Sequence, residues 1–303
     1  MVPRFVKSTL RRFRRILSGS PGPYALLARR LFERGEFIAA RAAYSLLVDL
    51  DPLPVHLVNL GYCEFMLENF DAAAMDFQRA LEQRPVPAQA WVGLGDVAAA
   101  RGNHQRAIDC YDQALQLLPN LAEATNNRGH SRLALGQLQA AWKDLEVRYQ
   151  LPGAKAMYPH ELELPLWDGS GDHRVLVHWE QGFGDIIQLL RFLPVLRERV
   201  RHAVFECPPS LSGLARRMPG APEIIDAGNQ PPRTEGFDSR APLASLPHLL
   251  QIDPAALPVA PYLSSLNAGR TVADAVSGER KFRVALVWRA SDRDRRRNMH
   301  VRE

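Results

Sequence analysis

The chain has 303 residues, 46% hydrophobic and 23% charged. That is enough for two domains with cores of their own, and no apolar run approaches the roughly 20 residues a membrane crossing needs. A pI of 9.3 suggests a nucleic-acid binder only until the charge is located: the basic residues crowd the two ends and leave a mildly acidic body, which argues against a phosphate-binding surface.

Residues 1–19 form a basic amphipathic segment. Val2, Phe5, Val6, Leu10, Phe13, Ile16 and Leu17 recur at helical spacing, with Arg4, Lys7, Arg11, Arg12, Arg14 and Arg15 between them and no acid through residue 15. One reading is a helix in residues 1–17 lying on an anionic membrane surface, peripheral to its inner face. The other is a basic leader, or a helix that caps the adjoining helical array. Cys63, Cys110 and Cys207 lie far apart without a CxxC pair, so neither a disulfide framework nor a zinc site is expected, and the setting is read as cytoplasmic.

Residues 20–151 repeat. Ala40, Tyr44 and Leu47 precede Pro52, with Gly35 at a turn. Leu60 and Gly61 lead to Ala73, Phe77, Ala80 and Pro85; Trp91, Leu94 and Gly95 lead to Gly102, Ala107, Tyr111, Ala114 and Pro119. A fourth unit keeps Gly129, Gly136, Ala141 and Leu145, but Arg148 stands where alanine is expected. Small residues let paired helices approach, Phe77 and Tyr111 fill the space between hairpins, and the prolines end each second helix. The near-constant proline spacing has the period of a tetratricopeptide repeat, and the segment resembles that family: three clear repeats and one degenerate, winding as an α superhelix. The resemblance implies a concave groove for a protein or peptide partner. Its expected lining includes Asn59, Tyr62, Gln89, Asp96, Asn126, Asn127 and His130. Asn59 and Asn127 stand where the O-GlcNAc transferases use asparagines to hold a peptide backbone, and Gly93 breaks that ladder in the third repeat. A spacer that only supports the next domain is the alternative.

Residues 152–173 read as a linker rich in proline and glycine. From 174 to 280 the pattern changes to strand, helix, strand. Val175 to Trp179 reads as a buried strand, Ile186 to about Arg197 as an apolar helix, Ala203 to Cys207 and Glu223 to Asp226 as further strands, which predicts a parallel sheet. Glu180-Gln181-Gly182-Phe183-Gly184-Asp185 joins the first strand to the helix. It is not a dinucleotide fingerprint, because Ile187 occupies the third glycine position.

Trp167-Asp168-Gly169, His178 to Asp185, Phe205 to Pro208, Pro242 to Pro247 and Pro261-Tyr262-Leu263 resemble the transferase domain of bacterial tetratricopeptide proteins of glycosyltransferase type. These are related to the heptosyltransferases and O-GlcNAc transferases. The resemblance implies a Rossmann-like domain, the first half of a GT-B fold, with a nucleotide sugar as donor substrate in a full-length form and no resident cofactor. By the same resemblance Asp185 is the candidate general base toward an acceptor hydroxyl, in a loop with Gln181, Gly182 and Gly184; a helix cap is the alternative role. His178 and Glu180, two residues apart at a strand end, are weaker candidates for one cleft mouth. Val284 to Trp288 looks like the first strand of the family's donor-binding half, with Ser291 a weak donor-phosphate contact, and residues 281–303 end in a charged tail. On that pattern the transferase is expected to be truncated and this chain alone inactive, which leaves a non-enzymatic interaction scaffold as the alternative function.

Overall fold

The computed structural model describes residues 22–151, 162–180, 182–230, 232–252 and 263. The basic segment 1–17, residues 152–161 of the linker, Gln181 and the strand and Ser291 expected near the end lie outside the described residues.

Eight helices come first, in four antiparallel pairs: α1 Gly22–Glu33 with α2 Phe37–Leu50, α3 Pro54–Met66 with α4 Phe70–Leu81, α5 Ala88–Ala100 with α6 His104–Leu117, and α7 Ala122–Ala134 with α8 Leu138–Leu145. The turn inside each pair needs one residue in the left-handed region, and Gly35, Glu68, Gly102 and Gly136 supply it at φ of 74°, 62°, 76° and 72°. Glycine takes that conformation without steric cost; Glu68 is the repeat's one exception. The expected glycine–aromatic packing is present. A methyl group added at Gly61 would stand 2.7 Å from the Phe77 ring, and one at Gly93 or Gly95 would fall closer still on Phe77 and Tyr111. Phe77, Tyr111, Leu47 and Leu57 are fully buried between the hairpins.

The second part is a parallel sheet in the order β3-β2-β1-β4, from β1 Arg174–His178, β2 His202–Cys207, β3 Glu223–Asp226 and β4 Ser239–Pro242. Val175 pairs with Ala203 on one side and Ser239 on the other, so β1 is central and its Val175, Leu176 and Val177 are buried. That is why it reads as an unbroken apolar run. The single helix expected after β1 is instead α9 Phe183–Leu189, a 3-10 turn at Leu190–Phe192 and α10 Leu193–Arg199. Pro194 is the reason: it has no N–H to carry one α-helix through this stretch. The short helices α11 Pro209–Ala215 and α12 Leu246–Leu249 complete the part, with a 3-10 turn at Leu243–Ser245. Its packing also begins earlier than the expected start at 174. Trp167 is buried in the same core as Val175 and Phe205, its backbone N–H donates to Arg240 O at 2.8 Å, and its indole N–H donates to Ser170 O at 2.7 Å.

Candidate functional site

Two places carry chemistry: the face formed by the first helices of the hairpins, and the end of β1. On the repeat face a cavity of about 450 Å³ is lined by Phe65, Asp96, Ala99, Ala100, His104, Tyr111, Asn127, His130 and Ser131. Asp96 sits on α5, four residues before its end. Tyr111 Oη donates to Asp96 Oδ1 at 2.8 Å and Asn127 Nδ2 donates to the same oxygen at 2.9 Å. Burial raises the Asp96 carboxyl to about 7, although both hydrogen bonds act the other way; the nearby charge of Glu123 adds to the rise. Tyr62 lies near: burial, then Asp96, then Glu123 push its phenol well above the ordinary range.

Of the residues expected in the groove, Asp96, Asn127 and His130 line this cavity together. Tyr62 packs edge-on against Phe77, ring centroids 5.1 Å apart. Asn126 donates to Asn127 Oδ1 at 3.3 Å, so the amide of Asn127 is held at both ends by the protein rather than left for a peptide backbone. Gln89 is exposed and Asn59 partly buried. His104 falls outside the expected lining, because it begins the second helix of its hairpin and no groove pattern covers that position.

At the other place, β1 ends between β2 and β4, where the strand order reverses, and the Gly182–Asp185 loop comes next. Gly182, Phe183, Gly184 and Asp185 are all exposed. Gly182 is the N-cap of α9 and Asp185 the third residue of the helix; Asp185 Oδ2 accepts from the Gly182 N–H at 3.3 Å. Asp185 therefore caps from inside the first turn and not from the cap position itself. Its two weaker companions do not share its exposure. His178 is buried, with Nε2 3.2 Å from Arg240 Nη1 and Nδ1 3.3 Å from Trp179 O. Burial lowers its pKa to about 4, which leaves it neutral near pH 7.

Glu180 is 1% exposed and tied to the repeats. Arg148 donates to it from Nη2 at 2.6 Å and Nε at 3.1 Å, Tyr149 Oη at 2.8 Å and the Ala244 N–H at 3.1 Å. Arg148 also donates to Ser245 Oγ at 2.8 Å and to Glu146 Oε1 at 2.9 Å. The arginine that spoils the fourth repeat is thus the residue that fastens the repeats to the sheet, seconded by Trp142 edge-on to Phe192 at 6.0 Å. Among the described residues no group of His, Cys, Asp or Glu is placed to hold a metal ion, and no helix is long and apolar enough to cross a membrane.

The family model of the tetratricopeptide repeat matches residues 25–85 and 67–122. Residues 25–122 are tetratricopeptide repeats. FlbA of Caulobacter vibrioides is 32% identical over 93 residues, 30% of this chain and 16% of FlbA. Tetratricopeptide repeat protein 36 of Bos taurus is 33% identical over 88 residues, 29% of this chain and 42% of that relative. The match therefore spans less than half the length of either relative. Among solved structures, the crystal structure of MamA aligns at a TM-score of 0.40 and 24% identity, covering 50% of this chain and 88% of that one. The first tetratricopeptide domain of Spaghetti (RPAP3), bound to an HSP90 peptide, aligns at 0.36 and 26%, covering 40% and 96%.

Proposed function

We propose that the chain is a protein-interaction scaffold whose tetratricopeptide groove binds an extended segment of a partner, with the α/β part fixed to the last repeat as a rigid companion. The observation that carries this reading is the cavity around Asp96, which is lined mainly by groups on the first helices of three successive hairpins. A continuous concave surface with a few placed polar groups is what recognition of an extended segment requires. The test is to pan a random dodecapeptide library displayed on phage against the full chain. Enriched peptides are expected to bind the wild type and to lose at least ten-fold against Ala100→Trp, a change at an exposed position that fills the mouth of the cavity. No enrichment, or equal binding to Ala100→Trp, would remove the reading.

A second reading rests on where the Gly182–Asp185 loop lies. Ligands of open parallel sheets bind beyond the carboxyl ends of the strands at the point where the order reverses, and this loop is exposed there. In this reading the sheet is the acceptor half of a glycosyltransferase of Rossmann-like, GT-B type, a nucleotide sugar is the donor, and Asp185 takes the proton of an acceptor hydroxyl as it attacks the anomeric carbon. Release of nucleotide diphosphate from a panel of nucleotide sugars, falling about a hundred-fold or more in Asp185→Ala, would support it. Absent turnover, or turnover indifferent to the substitution, would leave the scaffold reading alone.

A further inference from the structure

The groove cavity holds a carboxylate that, among the described residues, no arginine or lysine answers. Both donors to Asp96 fall on Oδ1, and among the described residues neither they nor any other group is hydrogen-bonded to Oδ2. The arginines nearby in sequence are engaged with other acids: Arg128 donates to Asp144 and Asp112, and Arg101 pairs with Asp71. Glu123 adds a second negative charge close enough to be felt at Asp96 and at Tyr62.

A second observation is independent of the acids. His104, which lines the cavity, has its Nδ1 sealed from solvent without a hydrogen-bond partner, and the hydroxyl of Tyr62 is in the same condition. Buried polar atoms without partners are rare, since each costs about 1–3 kcal/mol of desolvation that nothing returns. One of them, on the cavity wall, and the other, outside that lining but near enough to Asp96 to feel its charge, flank a half-buried carboxylate and mark a place where the missing partner arrives from outside.

We propose that this cavity takes a lysine or arginine side chain from the extended peptide in the groove, with Asp96 accepting from its ammonium or guanidinium. Tyr62 Oη and His104 Nδ1 are the further acceptors, and Phe65, Ala99 and Ala100 form the apolar wall along which the aliphatic stem lies. The proposal rests on the groove-binding reading and narrows it. An acidic segment is disfavoured by the same geometry, because its carboxylates would meet Asp96 and Glu123 with no arginine or lysine on the cavity wall. The raised pKa of Asp96 fits a site whose charge is costly until a cation neutralises it.

The probe is the same random dodecapeptide library, panned on the full chain. Enriched peptides are expected to share a lysine or arginine at one position. Its replacement by glutamine should weaken binding at least ten-fold to the wild type and less than two-fold to Asp96→Asn, whose amide oxygen still accepts from Tyr111 and Asn127. Tyr62→Phe removes only an unpartnered hydroxyl and so leaves the fold intact; it should cost the basic peptide about two- to ten-fold, the worth of one hydrogen bond. Enriched peptides with no shared basic residue, or an equal loss on wild type and Asp96→Asn, would overturn the cation pocket and leave groove binding standing. No enrichment at all would overturn both.

Discussion

Replacing Arg148 by alanine is expected to lower the stability of the sheet and the last repeat by about 3–5 kcal/mol, the usual cost of removing one partner from a buried ion pair. Arg148 is 4% exposed and Glu180 1%, so the carboxylate left behind would be buried with only the Tyr149 hydroxyl and the Ala244 N–H to satisfy it. The loss is not an ordinary salt-bridge loss. An exposed pair such as Arg29–Glu33 contributes little, because water replaces the partner. Here water has no access, and the charge must be protonated, repacked or exposed by opening the junction. Glu180→Gln separates the two contributions. It keeps the shape and one acceptor oxygen while removing the charge, leaves Arg148 with Glu146 at 2.9 Å, and should cost clearly less than Arg148→Ala. The check is urea unfolding followed by tryptophan fluorescence, since Trp142 and Trp179 both pack against the α/β core. A shift for Arg148→Ala within about 1 kcal/mol of wild type, the worth of an exposed pair, would mean the junction is not a structural unit and that the two parts hold together by other means.

The same residue shows what a sequence reveals of a fold and what it hides. The repeats are legible because their period is enforced by local physics: a glycine in the left-handed region at the turns, small residues under aromatic rings, prolines past the helix ends. Each leaves a residue type at a fixed place. The departures from that template are visible too, but their meaning is not. Arg148 looks like decay of a fourth repeat when only the repeat is considered, because its partner Glu180 is 32 positions away on another element. Glu180 in turn looks like a cleft residue, since strand-end acids next to a glycine loop often face solvent, and nothing local announces that an arginine covers it. Strand β4, Ser239–Pro242, has no sequence signal at all. Four residues containing an arginine and a proline carry no apolar alternation, and the strand exists because β1 needs a second neighbour on its buried edge. For the groove, the positions of Asp96, Asn127 and His130 follow from helical spacing. That Asn127 spends its amide on Asp96 depends on how two hairpins stack, which spacing alone does not fix.

Gly93 is the second departure with a large expected effect. In sequence it only interrupts a ladder of asparagines; in the structure it is the floor on which the Phe77 ring lies. The ring is fully buried, wedged between Gly61 of its own hairpin and Gly93 of the next. Phe77→Ala should therefore cost about 3–5 kcal/mol, the transfer and cavity loss of a core phenylalanine. Gly93→Ala should cost roughly 3 kcal/mol, at the upper end of overpacking penalties. It gains helix propensity of up to about 1 kcal/mol, but its methyl would overlap ring atoms that Gly61 and the α5 backbone prevent from moving away. The two losses should not add. Once the ring is gone, the Gly93 methyl enters the space it vacated, so the double variant should be more stable than the sum of the singles by about 1–3 kcal/mol, the range found for residues in direct contact. Thermal or urea unfolding of the four proteins in this cycle measures the coupling. Additivity within about 0.5 kcal/mol would show that ring and backbone do not share the site. Strong coupling would make Gly93 the residue that sets how closely the second and third hairpins stack, and with that spacing the width of the groove in which Asp96 lies.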